Sequence, residues 1–201
     1  MLKKDNNEII NLWDKLNKKQ IMKKIIVTVA AVFAFGFANA QDVKFGVKGG
    51  LSNSSTTESG AKSLLGFHLG GFAEIKASDK FAVQPELLYS AQGAKFDGVS
   101  LNLNYINIPV MAKYYVADAF SIEAGPQIGF LMSAKSDGID VKSVLKSTDF
   151  GLNLGAGYNL NETMSLGLRY NMGLSEIEKE IAAGDKGSKN TSIQLSFGYK
   201  F

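Results

Sequence analysis

The chain has 201 residues, enough for one domain and a leader, and it has no cysteine, which excludes a disulfide framework and any cysteine-based metal site. With 21 glycines and only 3 prolines, its composition suits many strands with small inward positions better than a helical bundle. The net charge of +3 divides into +4 on residues 1–40 and −1 on the rest, so the folded part lacks the clustered positive charge of a nucleic-acid-binding surface.

Residues 22–40 have the pattern of a secretory signal peptide. Two lysines follow Met22, an uncharged and mostly apolar run comes next, and an A-x-A site precedes Gln41. The apolar run is shorter than the ~20 residues that a membrane-spanning helix needs. We therefore predict a helical signal peptide that is cleaved after Ala40, with Ala38, Ala40 and Gln41 marking the site.

From Gln41 onward, apolar side chains recur with a period of two, which predicts strands rather than helices. Eight strands are predicted, at about 43–51, 64–77, 80–92, 101–116, 119–132, 148–160, 164–174 and 191–201. The last strand places five apolar side chains on one face and ends with Tyr199 and Phe201. An apolar face that ends in aromatic residues is typical of a strand whose outer side meets lipid and whose end lies at the membrane interface.

The fourth predicted strand contains a break in this alternation. Leu101, Leu103 and Tyr105 share one parity, whereas Ile106 and Ile108 share the other. A β-bulge near Tyr105 and Ile106 would switch the phase without ending the strand. Alternatively, the first residues project above the membrane, where lipid no longer dictates which face is apolar. The sequence leaves both explanations open.

The predicted connections alternate in length. Three are short, at 77–80, 116–119 and 160–163. Four are longer and polar, at 52–63, 93–100, 133–147 and 175–190. Tight periplasmic turns and longer extracellular loops are typical of outer-membrane barrels, and an even strand number places both termini on the periplasmic side. A secreted β-sandwich would also alternate, but it explains neither this asymmetry nor strands of this length.

We therefore predict an all-β fold, a single eight-stranded antiparallel transmembrane β-barrel over residues 41–201, preceded by the helical signal peptide at 22–40. Residues 1–21 are predicted to be an extension created by a start codon assigned too early, with a functional extension as the alternative. The expected location is the outer membrane, reached by secretion through the inner membrane with cleavage of the signal peptide.

Several stretches resemble strands of porin-like outer-membrane β-barrel domain proteins. YINIPVMAKYY at 105–115 is similar to that family's Y-I-x-I-P-hydrophobic-x-x-K-Y strand, and GPQIGFL at 125–131 is similar to its G-P-x-x-G-x-L strand. The other matches are Asp149-Phe150-Gly151, Gly155-Ala156-Gly157-Tyr158, Arg169-Tyr170-Asn171-Met172-Gly173-Leu174 and Gly198-Tyr199-Lys200-Phe201. The resemblance implies a small barrel in a Gram-negative outer membrane and implies little about activity. It also implies that Tyr199 and Phe201 form a signal read by the barrel-assembly machinery.

Strand parity places ten ionisable side chains on the inner face of the barrel. They are Lys44, Lys48, His68, Glu74, Lys76, Glu86, Lys113, Glu123, Arg169 and Lys200. We single out six of them as interior charges, namely Lys48, Glu74, Glu86, Lys113, Glu123 and Arg169. Eight strands leave a bore just wide enough for side chains to fill, and opposite charges confined there would pair. A salt-bridged interior is therefore favoured over a pathway for ions or solutes.

Catalysis and metal binding have little support in the sequence. His68 is the only histidine, and as a catalyst it would need a nucleophile and an orienting acid nearby. One histidine, no cysteine and no carboxylate cluster with ligand spacing argue against a metal site, and Asp137-Gly138-Ile139-Asp140 is predicted to be a turn. We expect no cofactor and no enzymatic activity.

These observations predict an outer-membrane barrel with a structural or surface-interaction role. The first alternative is a narrow porin-like channel for ions or small solutes, and the second is a membrane-embedded enzyme acting on lipid or peptide. The expected partners are outer-membrane lipid and, during biogenesis, the assembly machinery, with no nucleic acid. We expect a monomer, and the composition of the loops specifies no surface partner.

Overall fold

The computed structural model describes residues 43–180 and 186–201, so the predicted extension, signal peptide and cleavage site lie outside the described residues. The strands are β1 (Val43–Thr56), β2 (Lys62–Ser78), β3 (Phe81–Phe96), β4 (Val99–Ala117), β5 (Phe120–Ser136), β6 (Ile139–Asp140), β7 (Thr148–Asn159), β8 (Met164–Gly173) and β9 (Asn190–Lys200). A short 3-10 helix spans Lys142–Val144. Among the described residues, no helix is both long and apolar enough to cross a membrane.

Eight strands close into an antiparallel barrel. Each of β1 to β5 pairs with the next, β5 also pairs with β7, and β7, β8 and β9 continue the ladder. The ring closes where β9 pairs with β1. The two-residue strand β6 only extends the end of β5 and stands outside the ring. The predicted all-β, eight-stranded barrel is confirmed.

The two rims of the barrel differ in their connections. At one rim, here called the turn end, the strands are joined by 79–80, 118–119 and 160–163. At the other rim, the loop end, the joins are 57–61, 97–98, a segment over 137–147 that contains β6 and the short helix, and a segment over 174–189. The prediction of uniformly long loops at this rim is therefore wrong between β3 and β4.

The strands at the loop end run further than predicted. Val43–Thr56 and Phe81–Phe96 continue well past the ends expected from the sequence, and a two-residue turn at Asp97-Gly98 joins β3 to β4. Both turn residues have positive φ, 46° and 92°, as in the turns that match the twist of a hairpin. The apolar alternation stops where lipid ends, but the backbone ladder continues because each strand still has a partner.

The structure resolves the break in the alternation of β4. Pairing between β3 and β4 shows no slip at Tyr105, so the bulge predicted within β4 is wrong. The extra residue belongs to β5, where pairing jumps from Leu131 to Ser133 and skips Met132. Leu103 and Tyr105 keep their parity and point into the barrel, where both are buried. Of the two explanations, the one that places this segment above the lipid-facing band agrees with the structure.

The outer wall of the barrel is an apolar band. Phe120 and Phe130, both outward on β5, are ten residues apart, about 33 Å along a strand and ~25 Å in height at a tilt of ~40°. This height matches the apolar band of an outer-membrane barrel. On the inner face, backbones approach closely: a side chain at Gly50 would overlap the carbonyl oxygen of Leu195 on the neighbouring strand.

Candidate functional site

The interior of the barrel holds a network of charged side chains centred on Glu86. Arg169 donates from Nη1 to Oε2 of Glu86 and from Nη2 to Oε1, each at 2.8 Å. Lys48 Nζ lies 3.1 Å from Glu86 Oε1, and Gln84 Nε2 donates to the same oxygen at 2.7 Å. The side chain of Glu86 is fully enclosed, with 0% exposure. Three strands thus fix one carboxylate in the middle of the barrel.

The network continues towards the turn end without interruption. Glu123 Oε2 lies 3.4 Å from Arg169, and its other oxygen lies 3.5 Å from Lys113 Nζ. Lys113 donates to Glu74 Oε2 at 2.8 Å, and Lys200 Nζ lies 3.0 Å from Glu74 Oε1. The ion pairs therefore form one chain from Lys48 through Arg169 to Lys200, and side chains from seven of the eight barrel strands contribute to it.

All six residues singled out from the sequence as interior charges lie in this one network. Two further residues belong to the network. Strand parity placed Lys200 on the inner face, but Lys200 was not among the six interior charges singled out. Gln84, which accepts a hydrogen bond from Lys113 at 3.1 Å, was not singled out either. The network contains four cations and three carboxylates. Burying an unpaired charge would be costly, and here the ion pairs supply each group with a counter-charge.

A layer of neutral polar side chains lies between this network and the loop end. Asn171 donates to Asn153, which in turn donates to Gln127, at 2.9 and 3.2 Å. Asn107 donates to the hydroxyl of Ser90 at 3.0 Å. These side chains are buried and hydrogen-bonded to one another, so they narrow the interior at this level.

The loop end is capped by a small apolar cluster. Leu103, Tyr105, Leu131 and Ala134 from the barrel wall pack with Leu145 and Ile177, which come from two different connections. The two connections also bond to each other, since Lys146 N donates to the carbonyl oxygen of Ile177 at 2.7 Å. Below the cluster, Asn190 donates to Asp149 at 2.8 Å and to the Tyr105 hydroxyl at 3.2 Å. Sequence reasoning assigned no role to Leu145 or Ile177, although Ile177 is a lone large apolar residue in the polar stretch 175–180.

Two cavities among the described residues differ greatly in size. An open cavity of about 690 Å³ lies at the turn end, where Lys44, Lys76 and Asp118 line it and Glu74 and Lys200 lie at its inner side. The second cavity, beside the ion network, has only about 20 Å³. That volume accommodates about one water molecule. The open cavity at the turn end, here called the vestibule, therefore stops at the ion network.

His68 makes one hydrogen bond. Its Nε2 lies 2.8 Å from the hydroxyl of Ser196, and both side chains are buried. Its Nδ1 has no partner among the described residues, so no carboxylate there orients the ring as a catalytic base requires. The described part of the chain also contains no group of three or more His, Cys, Asp or Glu residues placed to hold a metal ion.

The predicted turn and the predicted assembly signal lie at opposite rims. Asp137-Gly138 forms the turn that enters β6, with φ of 45° and 87°. Tyr199 and Phe201 point outward at the turn end, with ring centroids 6.4 Å apart and Phe201 73% exposed. This geometry fits an aromatic girdle, and the role in assembly stays a prediction.

Comparison with known proteins agrees with this architecture. The sequence model of a family described as outer membrane protein beta-barrel domain matches residues 33–179. Neisserial surface protein A (NspA) superposes with a TM-score of 0.59 at 16% identity, covering 80% of this chain and 100% of that chain. Ail, the attachment invasion locus protein of Yersinia pestis, solved with the heparin analogue sucrose octasulfate, gives 0.50 at 16% identity with the same coverage. A comparison with curated proteins gave no match.

The solved structures show that the fold is shared, and the assignment to a family rests on the match to the sequence model. It covers most of the sequence, including seven of the eight barrel strands, and it agrees with a closed ring whose outer wall is apolar. The turn end then faces the periplasm and the loop end faces outward. The chain belongs to the outer membrane protein beta-barrel domain family and is an outer-membrane β-barrel protein.

Proposed function

We propose that this protein is an outer-membrane barrel with a structural or surface-interaction role and an interior that does not conduct. The observation that carries the proposal is the unbroken chain of ion pairs from Lys48 to Lys200 across the middle of the barrel. Charges of both signs hold one another in place there. A selective pore would instead line a continuous water path with charges of one sign.

Two further observations support a closed interior. The cavity beside the ion network has room for about one water molecule, and the apolar cluster around Leu145 and Ile177 covers the loop end. A solute entering from the periplasmic vestibule would first have to separate Glu74 from Lys113 and Lys200. Separating such pairs leaves uncompensated charges away from water, which is strongly unfavourable.

The surface part of the proposal rests on the loop end. Segments 57–61, 137–147 and 174–180 lie at the rim of a rigid scaffold, and such segments vary freely without disturbing the sheet. Export through the signal peptide, assembly guided by Tyr199 and Phe201, and a monomeric state complete the proposal.

An enzyme acting on lipid or peptide gains no support from the interior, since His68 and Ser196 are enclosed and lack an orienting acid among the described residues.

A narrow channel is the second candidate, and the vestibule of about 690 Å³ is the observation that favours it. Such a cavity resembles the mouth of a pore. For conduction, the Glu86–Arg169 pair and the cap would both have to move aside. The two candidates therefore differ in one measurable property, the permeability of the wild-type barrel.

Liposome swelling tests the proposal. Liposomes containing the wild-type barrel should swell in small sugars and amino acids no faster than empty liposomes. The variant Glu86→Ser/Arg169→Ser/Leu145→Ala/Ile177→Ala removes the central pair and the two cap side chains, and liposomes containing it should swell faster than those containing the wild type. The matched control is Lys146→Ser/Glu176→Ser, which removes an exposed pair outside the barrel with the same change in charge. Rapid swelling of the wild type that the central substitution alters and the control does not would contradict the closed interior.

A further inference from the structure

The outer wall of the barrel carries charge in one place only. In the eight barrel strands, all of them described, acidic and basic side chains point inward with three exceptions. The exceptions are Lys62 on β2, Lys95 on β3 and Lys135 on β5, here called the lysine patch. Each is exposed, and each lies near the loop end. The wall formed by β7, β8, β9 and β1 carries no outward charge.

Two lysines of the patch face each other across neighbouring strands. Lys62 and Lys95 are directly opposite in the β2–β3 register. Like charges in this position repel one another and weaken a sheet. No ion pair joins any lysine of the patch to an acidic residue in the described part of the chain. An anion supplied from outside the chain would relieve this repulsion.

The patch lies directly above the lipid-facing band. Leu65 and Met132 point outward and are 71% and 54% exposed, as lipid-facing side chains are. Lys62 lies three residues before Leu65 and Lys135 lies three residues after Met132, each at most about 10 Å further along the strand and ~8 Å higher towards the loop end. A flexible lysine stem reaches over part of this distance, so the ammonium groups lie at the level of lipid headgroups.

Neutral hydrogen-bonding groups lie between the lysines. Ser100 pairs with Lys95, and Asn102 pairs with Lys135, so the strand between two lysines offers a hydroxyl and an amide. The nearest acid in register is Asp140, opposite Lys135, and one of its oxygens accepts the backbone N–H of Lys142 at 2.8 Å. The patch therefore combines ammonium groups with neutral hydrogen-bond donors, and groups of both kinds bind the phosphate and carboxylate substituents of a saccharide.

We propose that the lysine patch binds the anionic groups of glycolipid headgroups in the outer leaflet. Three ammonium groups on one side of the barrel hold phosphate or carboxylate substituents on the saccharide, while Leu65 and Met132 contact the acyl region below. The bound headgroup supplies the missing counter-charge between Lys62 and Lys95. This binding is independent of whether the interior conducts, because the patch faces away from it.

Binding of a defined glycolipid tests the inference. The full barrel is purified in zwitterionic detergent and titrated with lipid A, a diphosphorylated glucosamine-disaccharide lipid, and separately with its dephosphorylated form. Native mass spectrometry then counts the adducts. The triple variant Lys62→Ser/Lys95→Ser/Lys135→Ser removes the patch. The control Lys146→Ser/Lys186→Ser/Lys189→Ser makes the same change in charge on loop-end connections, and heat-dependent gel mobility verifies that each barrel is folded.

The expected result is preferential binding of the phosphorylated lipid by the wild type and the control. The patch variant should bind it roughly tenfold to a hundredfold more weakly, since lysines at an anionic surface act nearly additively. Equal binding of both lipid forms by the wild type would overturn the inference. So would unchanged binding by a folded patch variant, or an equal loss of binding by the control variant.

Discussion

Glu86 is the residue on which the interior depends most. Its carboxylate lies within ion-pair distance of Lys48 and Arg169, and Gln84 donates to the same group. An enclosed carboxylate is stable only while its partners are present, because desolvation favours the neutral form and isolation leaves a charge without compensation. Changing one partner should therefore have a larger effect than changing an exposed ion pair.

Replacing Arg169 tests this dependence. Arg169→Ala leaves Glu86 and Glu123 without their shared cation and should lower the free energy of unfolding by about 3–5 kcal/mol. Arg169→Lys keeps the charge but loses the two parallel hydrogen bonds to Glu86, and should lower it by about 1.5–3 kcal/mol. Urea unfolding of the barrel in lipid vesicles, followed by far-UV circular dichroism, measures both changes.

The control for this series is Lys146→Ala. Lys146 and Glu176 are 3.7 Å apart with side chains 38% and 40% exposed, so the pair is screened by water. Its loss should change the free energy of unfolding by no more than about 0.5 kcal/mol. If Arg169→Ala proved as mild as this control, the ion network would contribute little to the native barrel.

The sequence predicted the location of these charges but not their partners. Strand parity alone placed Glu74, Glu86 and Arg169 on the inner face, because side chains alternate across a strand. The pairing of Arg169 with Glu86 spans 83 residues and depends on the stagger of strands that are not neighbours in the sheet. No local pattern contains that stagger, so the pairs could be found only from the structure.

At the scale of whole elements, the connections form part of the interior. The segment over 137–147 contributes Leu145 and the segment over 174–189 contributes Ile177 to the apolar cluster at the loop end. The backbone N–H of Lys179 also donates to the carbonyl oxygen of Val144 at 3.0 Å. These contacts fold two connections over the mouth of the barrel, so the cap should behave as one cooperative unit.

The double variant Leu145→Ala/Ile177→Ala tests the cap. Removing both side chains deletes the apolar contacts that hold the two connections together, since large-to-small changes at buried sites are strongly destabilising. Amides in 141–147 should then exchange with deuterium at least about tenfold faster, while the barrel strands keep their protection. Hydrogen–deuterium exchange with mass spectrometry resolves the two regions.

Val144→Ala is the matched control for the cap. Val144 belongs to the same segment but is 61% exposed, so its truncation should leave exchange unchanged. Equal exchange rates in the double variant, the control and the wild type would mean that the connections are held by backbone hydrogen bonds alone.

The sequence was least informative about these connections. Alternation of apolar and polar residues shows where a strand faces lipid, and it predicted all eight barrel strands. At the turn end, the predicted first or last residues of the strands lie within a residue or two of those in the structure. Above the lipid the alternation disappears although the ladder continues, which is why the predicted loop at 93–100 is largely strand. Leu103 and Tyr105 broke the pattern because the cap makes the interior apolar at that level.

At the scale of the whole molecule, the barrel separates two environments with opposite demands. Its wall presents apolar side chains to lipid, and its interior encloses charged groups that satisfy one another. Moving outward from the periplasmic vestibule, the interior passes from the ion network to a neutral polar layer and then to the apolar cap. The only outward charges of the barrel strands, Lys62, Lys95 and Lys135, lie near the loop end, where we propose that they meet lipid headgroups.

Single-channel recording in planar lipid bilayers tests the central claim most directly. The wild-type barrel, inserted as the folded protein, should give no stepwise current across the range of voltages that the bilayer tolerates, because the ion network and the cap close the bore. The Glu86→Ser/Arg169→Ser/Leu145→Ala/Ile177→Ala variant, which removes the central pair and the two cap side chains, should give measurable steps. Reproducible steps from the wild type, abolished or changed in selectivity by altering Arg169 or Glu123, would contradict the closed interior.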